Sequence, residues 1–157
     1  MMNKTVNYIQ DKWEKGFLPG IDCIVFEDGK IIIANTYKTI DYNTLENKQY
    51  WFPLCDTTIE SLENYSDDIW TKVDIFNGSI THGNEKIVFG DGSMGNEGFV
   101  ASTDRDNQLK WAIFFTFSNP ILKAEIVNNE LICISELETK ISIHLNNVTR
   151  ISISENY

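Results

Sequence analysis

Apolar and polar residues alternate along most of this chain, and the pattern predicts strands rather than long helices. Beyond residue 70, apolar positions recur at every second residue in short runs, which is typical of β-strands. In residues 108–117 both faces are apolar, and the odd-numbered positions from Leu109 to Phe117 share one of them. Because a strand covered on both sides is buried, we expect this one at the centre of a sheet. The predicted strands cover residues 70–76, 85–89, 99–103, 108–117, 121–127, 130–135, 140–145 and 149–154.

Two short helices are predicted in the first half of the chain. Residues 5–15 have a helical apolar spacing, with Thr5 as a candidate cap. A second helix is expected to begin near Asp56 or Thr57, because Thr57 and Glu60 fit a capping box, and to end by Ser66.

Turn residues separate the predicted strands. Asp28 and Gly29 stand between residues 21–26 and 30–34 and predict a hairpin with a type I′ turn. Pro53 lies in the apolar run at residues 50–54 and predicts either an edge strand or a short buried stretch, since proline cannot donate to a ladder. The polar residues 35–49 permit no assignment. Later turns contain asparagine, which tolerates the left-handed conformation: Asn119, Asn128–Asn129 and Asn146–Asn147.

These signals predict an α+β fold that is mainly β: an antiparallel meander forming a sandwich or a strongly curved sheet, with two short helices. The chain has 157 residues and no linker-like segment, so we predict a single domain over residues 1–157. No apolar run approaches the roughly 20 residues that span a bilayer, and the N-terminus lacks a secretory pattern. We therefore expect a cytoplasmic protein that does not bind a membrane.

Negative charge is concentrated in one segment. Residues 56–106 contain eleven acidic residues against Lys72, Lys86 and Arg105, which leaves −8 of the chain's net charge of −10. Complementary potentials speed association and select partners, so we expect a basic protein partner. Nucleic acid is disfavoured as a partner, because a phosphate backbone binds lysine and arginine.

The partner is predicted to bind acidic residues of this segment and one aromatic residue among them. If so, reversing the charges of Asp67 and Asp68 together would slow association. The predicted contact residues are Asp67, Asp68, Trp70, Asp74, Asp91, Glu97, Asp104 and Asp106.

No motif for catalysis, a metal or a cofactor is complete in this sequence. Residues 90–95 match the spacing G-x-G-x-x-G, but a strand rather than a helix is predicted to follow, so no helix N-terminus would hold a pyrophosphate. The acidic run at Asp104 lacks the glycine and the glutamate of a calcium loop. His82 and His144 are the only histidines, and neither has ligands at zinc-site spacing. We therefore predict no catalytic residue, no metal site and no cofactor.

Residues 111–120, followed by Ile121–Val127 and Glu130–Ser135, resemble the C-terminal β-meander of small bacterial immunity proteins. Such proteins are encoded beside polymorphic toxins, including those of contact-dependent growth inhibition. The resemblance covers about the last third of the chain and implies no particular contact residue. It implies a non-enzymatic inhibitor that binds a basic toxin domain, often a nuclease, and occludes its active site.

Two other functions stay open on the sequence alone. A small-molecule-binding β-barrel or sandwich would hold its ligand in a cavity lined by tryptophan and phenylalanine. A hydrolase would assemble carboxylates of raised pKa in a cleft.

Overall fold

The structure, a computed structural model, describes residues 4–66 and 68–155. These residues form two helices, α1 (Lys4–Glu14) and α2 (Ile59–Tyr65), and fourteen strands. The strands are β1 (Phe17–Pro19), β2 (Cys23–Phe26), β3 (Lys30–Asp41), β4 (Glu46–Thr58), β5 (Trp70–Lys72), β6 (Asp74–Ile75), β7 (Ile80–His82), β8 (Glu85–Asp91), β9 (Gly98–Thr103), β10 (Leu109–Phe115), β11 (Ile121–Val127), β12 (Glu130–Ser135), β13 (Thr139–His144) and β14 (Ile151–Glu155).

The largest sheet is antiparallel and runs in the order β4-β3-β2-β10-β9-β8-β6, with β7 also paired to β8. The predicted central strand is confirmed, because β10 lies between β2 and β9 and is buried on both faces. Leu109 is the exception to its predicted pattern. An irregular register between Leu109 and Trp111 turns Leu109 to the same side as Ala112 and Phe114, so its predicted place beside Trp111 is wrong.

Each face of this central sheet covers a separate apolar core. The helix-side core includes Ile9 and Trp13 of α1 and Ile59 of α2. The second core lies between the central sheet and a four-stranded sheet in the order β11-β12-β13-β14. There β14 lies against β4 and β11 against β8, so the two sheets form a sandwich.

Helix α1 packs its apolar face against the sheet and also binds a strand backbone. The Gln10 amide donates from Nε2 to the Leu109 carbonyl at 2.9 Å, and Gln10 Oε1 accepts from the Leu109 N–H at 2.7 Å. This pair of bonds holds the irregular start of β10. Gly16 ends the turn with φ at 85°, as expected, whereas Thr5 lies inside the helix and is not its cap.

Helix α2 begins two residues later than Thr57. The β3–β4 ladder continues to the Lys30–Thr58 pair, so the chain leaves the strand only at Thr58. The hydroxyl of Thr58 accepts from the Ser61 N–H at 3.2 Å and caps the helix. The predicted cap at Thr57 is therefore wrong, while the predicted end of the helix by Ser66 is confirmed.

The β2–β3 hairpin is confirmed, but its turn differs from the predicted type. The Gly29 N–H donates to the Phe26 carbonyl at 3.0 Å, and Gly29 has φ at 92° while Asp28 does not enter the left-handed region. A type I′ turn needs two such residues. The loop between the strands has three residues, Glu27, Asp28 and Gly29, instead of two. A three-residue loop does not need two neighbouring residues with positive φ.

Residues 35–49, which the pattern could not assign, complete a long hairpin of β3 and β4. Strand β4 lies at the edge of the sheet, which confirms the edge alternative predicted from Pro53. The register shifts next to the Ala34–Pro53 pair, and Leu54 has no cross-strand partner.

The last four strands form the predicted meander. Asn128 and Asn129 both have positive φ, at 50° and 64°, and close the turn between β11 and β12. Asn119 also has positive φ, at 65°, but its turn carries the chain from the central sheet into the second sheet instead of pairing β10 with β11. Asn147 does not enter the left-handed region; its side chain accepts from the N–H and the hydroxyl of Thr149.

The fold is therefore mainly antiparallel β with two short helices, as the sequence predicted. The sheets do not close into a barrel, so the barrel form of the small-molecule alternative is wrong. Neither helix in the described ranges has the length and apolar character needed to cross a membrane.

Candidate functional site: an acidic end of the central sheet

Four carboxylates lie at one end of the central sheet. Antiparallel pairing brings the start of β2, the end of β8, the start of β9 and the start of β6 to this end. We call these residues the acidic end: Asp22, Asp74, Asp91 and Glu97. Three of them were predicted as contact residues, and the topology explains why they gather although 75 residues separate Asp22 from Glu97.

Asp74 and Asp91 are direct neighbours across the β6–β8 pair. Asp74 is exposed and Asp91 is partly buried. One carboxylate oxygen of Asp91, Oδ1, is shielded from solvent and has no hydrogen-bond partner among the described residues. Burial and, secondly, the charge of Asp74 raise the pKa of Asp91 above its usual value. Like charges opposite each other on neighbouring strands destabilise a sheet, so this pair lowers the stability of the free protein.

A glycine makes this close pairing possible. Gly90 pairs with Ile75, next to the Asp74–Asp91 pair. A Cβ at Gly90 would collide with the backbone carbonyl oxygen of Asp74, so any larger residue would push β6 away from β8. The Phe76 N–H donates to the Phe89 carbonyl at 2.8 Å, so the backbone pairing with β8 extends one residue beyond β6.

Asp22 caps the end of the central strand. Its Oδ1 accepts from the Thr116 N–H at 2.7 Å and its Oδ2 from the Thr116 hydroxyl at 2.8 Å. Burial raises the pKa of Asp22, the bonds from Thr116 oppose that shift, and the charge of Glu97 adds a smaller increase. Asp22 was not predicted as a site residue; its signal in the sequence is a carboxylate placed directly before the buried strand that begins at Cys23.

Glu97 is buried within the glycine-rich loop that joins β8 to β9. Its Oε1 accepts from the Met94 N–H at 3.0 Å. Ser93 donates from Oγ to the Lys72 carbonyl at 3.0 Å, and Asn96 donates from Nδ2 to the Thr116 carbonyl at 3.0 Å. The loop therefore packs on the end of the sheet and leads into a strand, which confirms that residues 90–95 lack the helix of a nucleotide site. Glu97 holds this loop together and presents little surface to a partner.

Asp104 and Asp106 lie at the opposite end of the sheet, because β9 runs its full length between Gly98 and Thr103. At about 3.3 Å per residue, these two carboxylates are on the order of 20 Å from the acidic end. The Asp104 carboxylate accepts from the N–H groups of Asp106 and Gln108 at 2.8 and 3.0 Å and shapes its own turn. The structure therefore does not bring these residues together with Asp91.

The remaining predicted contact residues are Asp67, Asp68 and Trp70. Asp67 lies outside the described residues. Asp68 is exposed, and its N–H donates to the Ser66 hydroxyl at 3.4 Å. Trp70 is partly buried against the helix-side core, and its ring meets Tyr8 edge to face at 6.0 Å. It is thus a part of the packed structure as well as a surface residue.

Among residues 4–66 and 68–155, no ion pair neutralises the described acids of the predicted contact set. The described residues form three ion pairs, which are Lys15–Asp11, Lys30–Asp56 and Lys110–Glu27. None of them includes Asp68, Asp74, Asp91 or a later acid of the predicted set. Ile75 on β6 and Met94 in the loop that joins β8 to β9 are 54% and 63% exposed and provide apolar surface on segments next to Asp74 and Asp91.

A second exposed surface was not predicted. On β3 and β4 the rings of Tyr37 and Tyr50 stack at 4.9 Å, and Phe52 meets Tyr37 edge to face at 5.7 Å. These side chains are 46%, 41% and 37% exposed. They lie in or beside the segment that the polar pattern left unassigned, so no pattern in the chain placed them on one face.

Two further features bear on the alternative functions. A groove of about 450 Å³ between the β8 side of the central sheet and the second sheet has a lining that includes Phe89, Leu122 and Ile132. Within the described residues, no group of three or more histidine, cysteine, aspartate or glutamate side chains could hold a metal ion.

No protein-family model matches this chain, and no curated protein is significantly similar to it. The geometry of the acidic end and the charge of the chain are therefore the basis for a functional proposal.

Proposed function

We propose that this chain is a non-enzymatic immunity protein that binds a basic toxin domain and occludes its active site. The observation that carries the proposal is the Asp74–Asp91 pair, two adjacent carboxylates that form no ion pair with any residue the structure describes. The chain's net charge of −10 and the resemblance of residues 111–135 to immunity proteins support it.

A basic side chain from a partner would relieve the repulsion between Asp74 and Asp91. An arginine or lysine placed between them would interact with both carboxylates, and charge-assisted hydrogen bonds of this kind are about twice as strong as neutral ones. The free energy that the pair costs in the free protein would then be recovered on binding. Such a site binds cations selectively, since anions and neutral groups leave the repulsion in place.

The charge of the whole chain would speed the encounter. Electrostatic steering raises association rates above the typical 10⁵–10⁶ M⁻¹s⁻¹ by roughly two orders of magnitude or more at low salt. Exposed Ile75 and Met94 would then provide apolar contact around the carboxylates. Interfaces gain most of their affinity from a few such buried groups within a polar rim.

A nuclease is the toxin class that we favour. Enzymes that hold nucleic acid present lysine and arginine to the phosphate backbone. An acidic protein that binds the same residues competes directly with the substrate. The partner is accordingly a protein, and nucleic acid itself is not expected to bind.

Co-purification with basic toxin domains, followed by an activity assay, tests this function. The expected result is a stable complex in which a nuclease domain loses activity in proportion to added chain. An acidic protein of similar size and charge serves as the control for nonspecific attraction. Failure to bind or inhibit any basic toxin domain, including one encoded beside its gene, would contradict the proposal.

A further inference from the structure

A lysine ammonium is enclosed by three aromatic rings where α1 meets the small β1–β5 sheet. The Nζ atom of Lys12 lies 5.5 Å from the ring centroid of Tyr8, 5.8 Å from that of Phe17 and 5.2 Å from that of Trp70. All three distances fall within the range of about 6 Å over which a cation is attracted to a ring face. We call the rings of Tyr8, Phe17 and Trp70 the aromatic cage.

The cage is held in place by contacts that do not include Lys12. The Tyr8 hydroxyl donates to Glu63 Oε2 at 3.0 Å, which ties α1 to α2. Trp70 packs against the helix-side core, and its backbone pairs with Pro19 in the β1–β5 ladder. The rings would therefore keep their arrangement if the lysine side chain moved away.

Lys12 has no other attachment within the described part of the chain. Its ammonium forms no hydrogen bond and no ion pair there, whereas Lys15 on the same helix pairs with Asp11 at 3.0 Å. The cage is also open to solvent, because Tyr8 is 36% exposed and Lys12, Phe17 and Trp70 are partly exposed. A cation from outside could replace Lys12 without breaking any bond other than its contacts with the rings.

We infer that the aromatic cage is a binding subsite for a lysine or arginine side chain of a protein partner, and that Lys12 occupies this subsite in the free chain. The inference rests on the proposed function, since the cation would come from the same basic partner. Lys12 and the incoming side chain compete for one place. Apparent affinity is therefore reduced by the fraction of molecules in which Lys12 fills the cage.

Removing the lysine should open the subsite. We would titrate the wild-type chain, Lys12→Ala and the control Lys15→Ala with N-acetyl-lysine methylamide and N-acetyl-arginine methylamide, following the Trp70 indole N–H resonance by NMR. Lys12→Ala is expected to bind these compounds about five- to tenfold more tightly than wild type, since cation–π contacts contribute on the order of 1 kcal/mol. Lys15→Ala is expected to behave as wild type, because Lys15 does not touch the cage.

Changes at Tyr8 in the Lys12→Ala background show whether binding uses the rings. Tyr8→Phe keeps the ring and should keep binding, whereas Tyr8→Leu should lose most of it. No shift of the Trp70 resonance in Lys12→Ala, or an equal shift in Lys12→Ala/Tyr8→Leu, would overturn the inference. The titration needs no toxin, so its failure is distinguishable from a failure of the proposed function.

Discussion

At the scale of single residues, the acidic end contains carboxylates with different tasks. Asp22 and Glu97 accept hydrogen bonds from the chain's own N–H and hydroxyl groups and hold the sheet end together. Asp74 and Asp91 instead lie opposite each other across the β6–β8 pair and repel each other. Residues that lower stability without a local compensation are expected at functional sites. This contrast separates the pair that we assign to partner binding from the acids that support it.

Replacing Asp91 by asparagine is expected to stabilise the free protein at neutral pH. The pKa of Asp91 is raised in the folded state, so stability is lost as pH rises from about 3.8 through that higher value. Asp91→Asn should therefore increase the free energy of unfolding at pH 7 by about 0.5–1 kcal/mol. At a pH of about 3 the carboxyl is protonated in both states, and the gain should vanish.

Urea denaturation at several pH values measures this effect. Asp106→Asn serves as the matched control, because Asp106 is exposed at the opposite end of the sheet. A gain that is the same at all pH values, or that appears equally in the control, would contradict the account of Asp91.

At the scale of elements, the strands with tight asparagine turns were the most predictable. The bounds of β11 and β12 match the prediction. In β12 buried and partly buried residues alternate, and over most of β11 partly buried and exposed residues alternate, beside a local turn. Strands β1 and β7 have three residues each, too few for a period to be recognised. Residues 37–40 of β3 are exposed on both faces of the β3–β4 hairpin, so backbone pairing rather than burial defines this part of the strand.

The candidate site was predictable only in part, for a related reason. The charge of Asp74 and Asp91 is visible in the sequence, but their adjacency depends on the pairing of β6 with β8. That pairing needs Gly90, whose importance appears only when the Asp74 carbonyl is seen beside it. The separation of Asp104 from the acidic end likewise follows from the direction of β9, which cannot be inferred from the amino-acid composition.

Gly90→Ala tests how β6 is held against β8. A methyl group at this position would collide with the Asp74 backbone, so β6 must shift or detach. We expect a loss of about 1–3 kcal/mol in the free energy of unfolding, typical of overpacking. Hydrogen exchange should show faster exchange of the Phe76 N–H, which bonds to Phe89 in the wild type. Unchanged protection at Phe76 would show that the close approach is not needed.

Thr58→Ala tests where α2 begins. Loss of the Thr58 hydroxyl leaves the Ser61 N–H without its cap, and such changes typically cost about 1 kcal/mol. The matched control is Thr57→Ala, since Thr57 is the residue before the cap and pairs with Ile31 in the ladder. Thermal unfolding of both variants measures the difference, and a larger loss at Thr57 would contradict the assignment of the cap.

At the scale of the whole molecule, the sandwich presents its charge unevenly. The acidic end and the turn at Asp104 occupy opposite ends of one sheet, so a single small partner surface is expected to cover one of them rather than both. Of these two ends, the acidic end is the one where two carboxylates, Asp74 and Asp91, lie on directly paired residues. Exposed apolar residues, Ile75 and Met94, lie on the neighbouring segments. The stacked tyrosines of the β3–β4 hairpin form a separate surface. The hairpin that carries them, residues 30–58, has no net charge, because it contains three basic and three acidic residues.

The association rate with a co-purified toxin domain tests the central claim most directly. Stopped-flow measurements over about 0.01–0.5 M salt would compare the wild type, Asp74→Asn/Asp91→Asn and the matched control Asp104→Asn/Asp106→Asn. If the acidic end contacts the partner, the first double variant should associate at least about tenfold more slowly at low salt and respond less to added salt, while the control should stay within about twofold of wild type. Equal rates for the wild type and Asp74→Asn/Asp91→Asn at every salt concentration would contradict the claim.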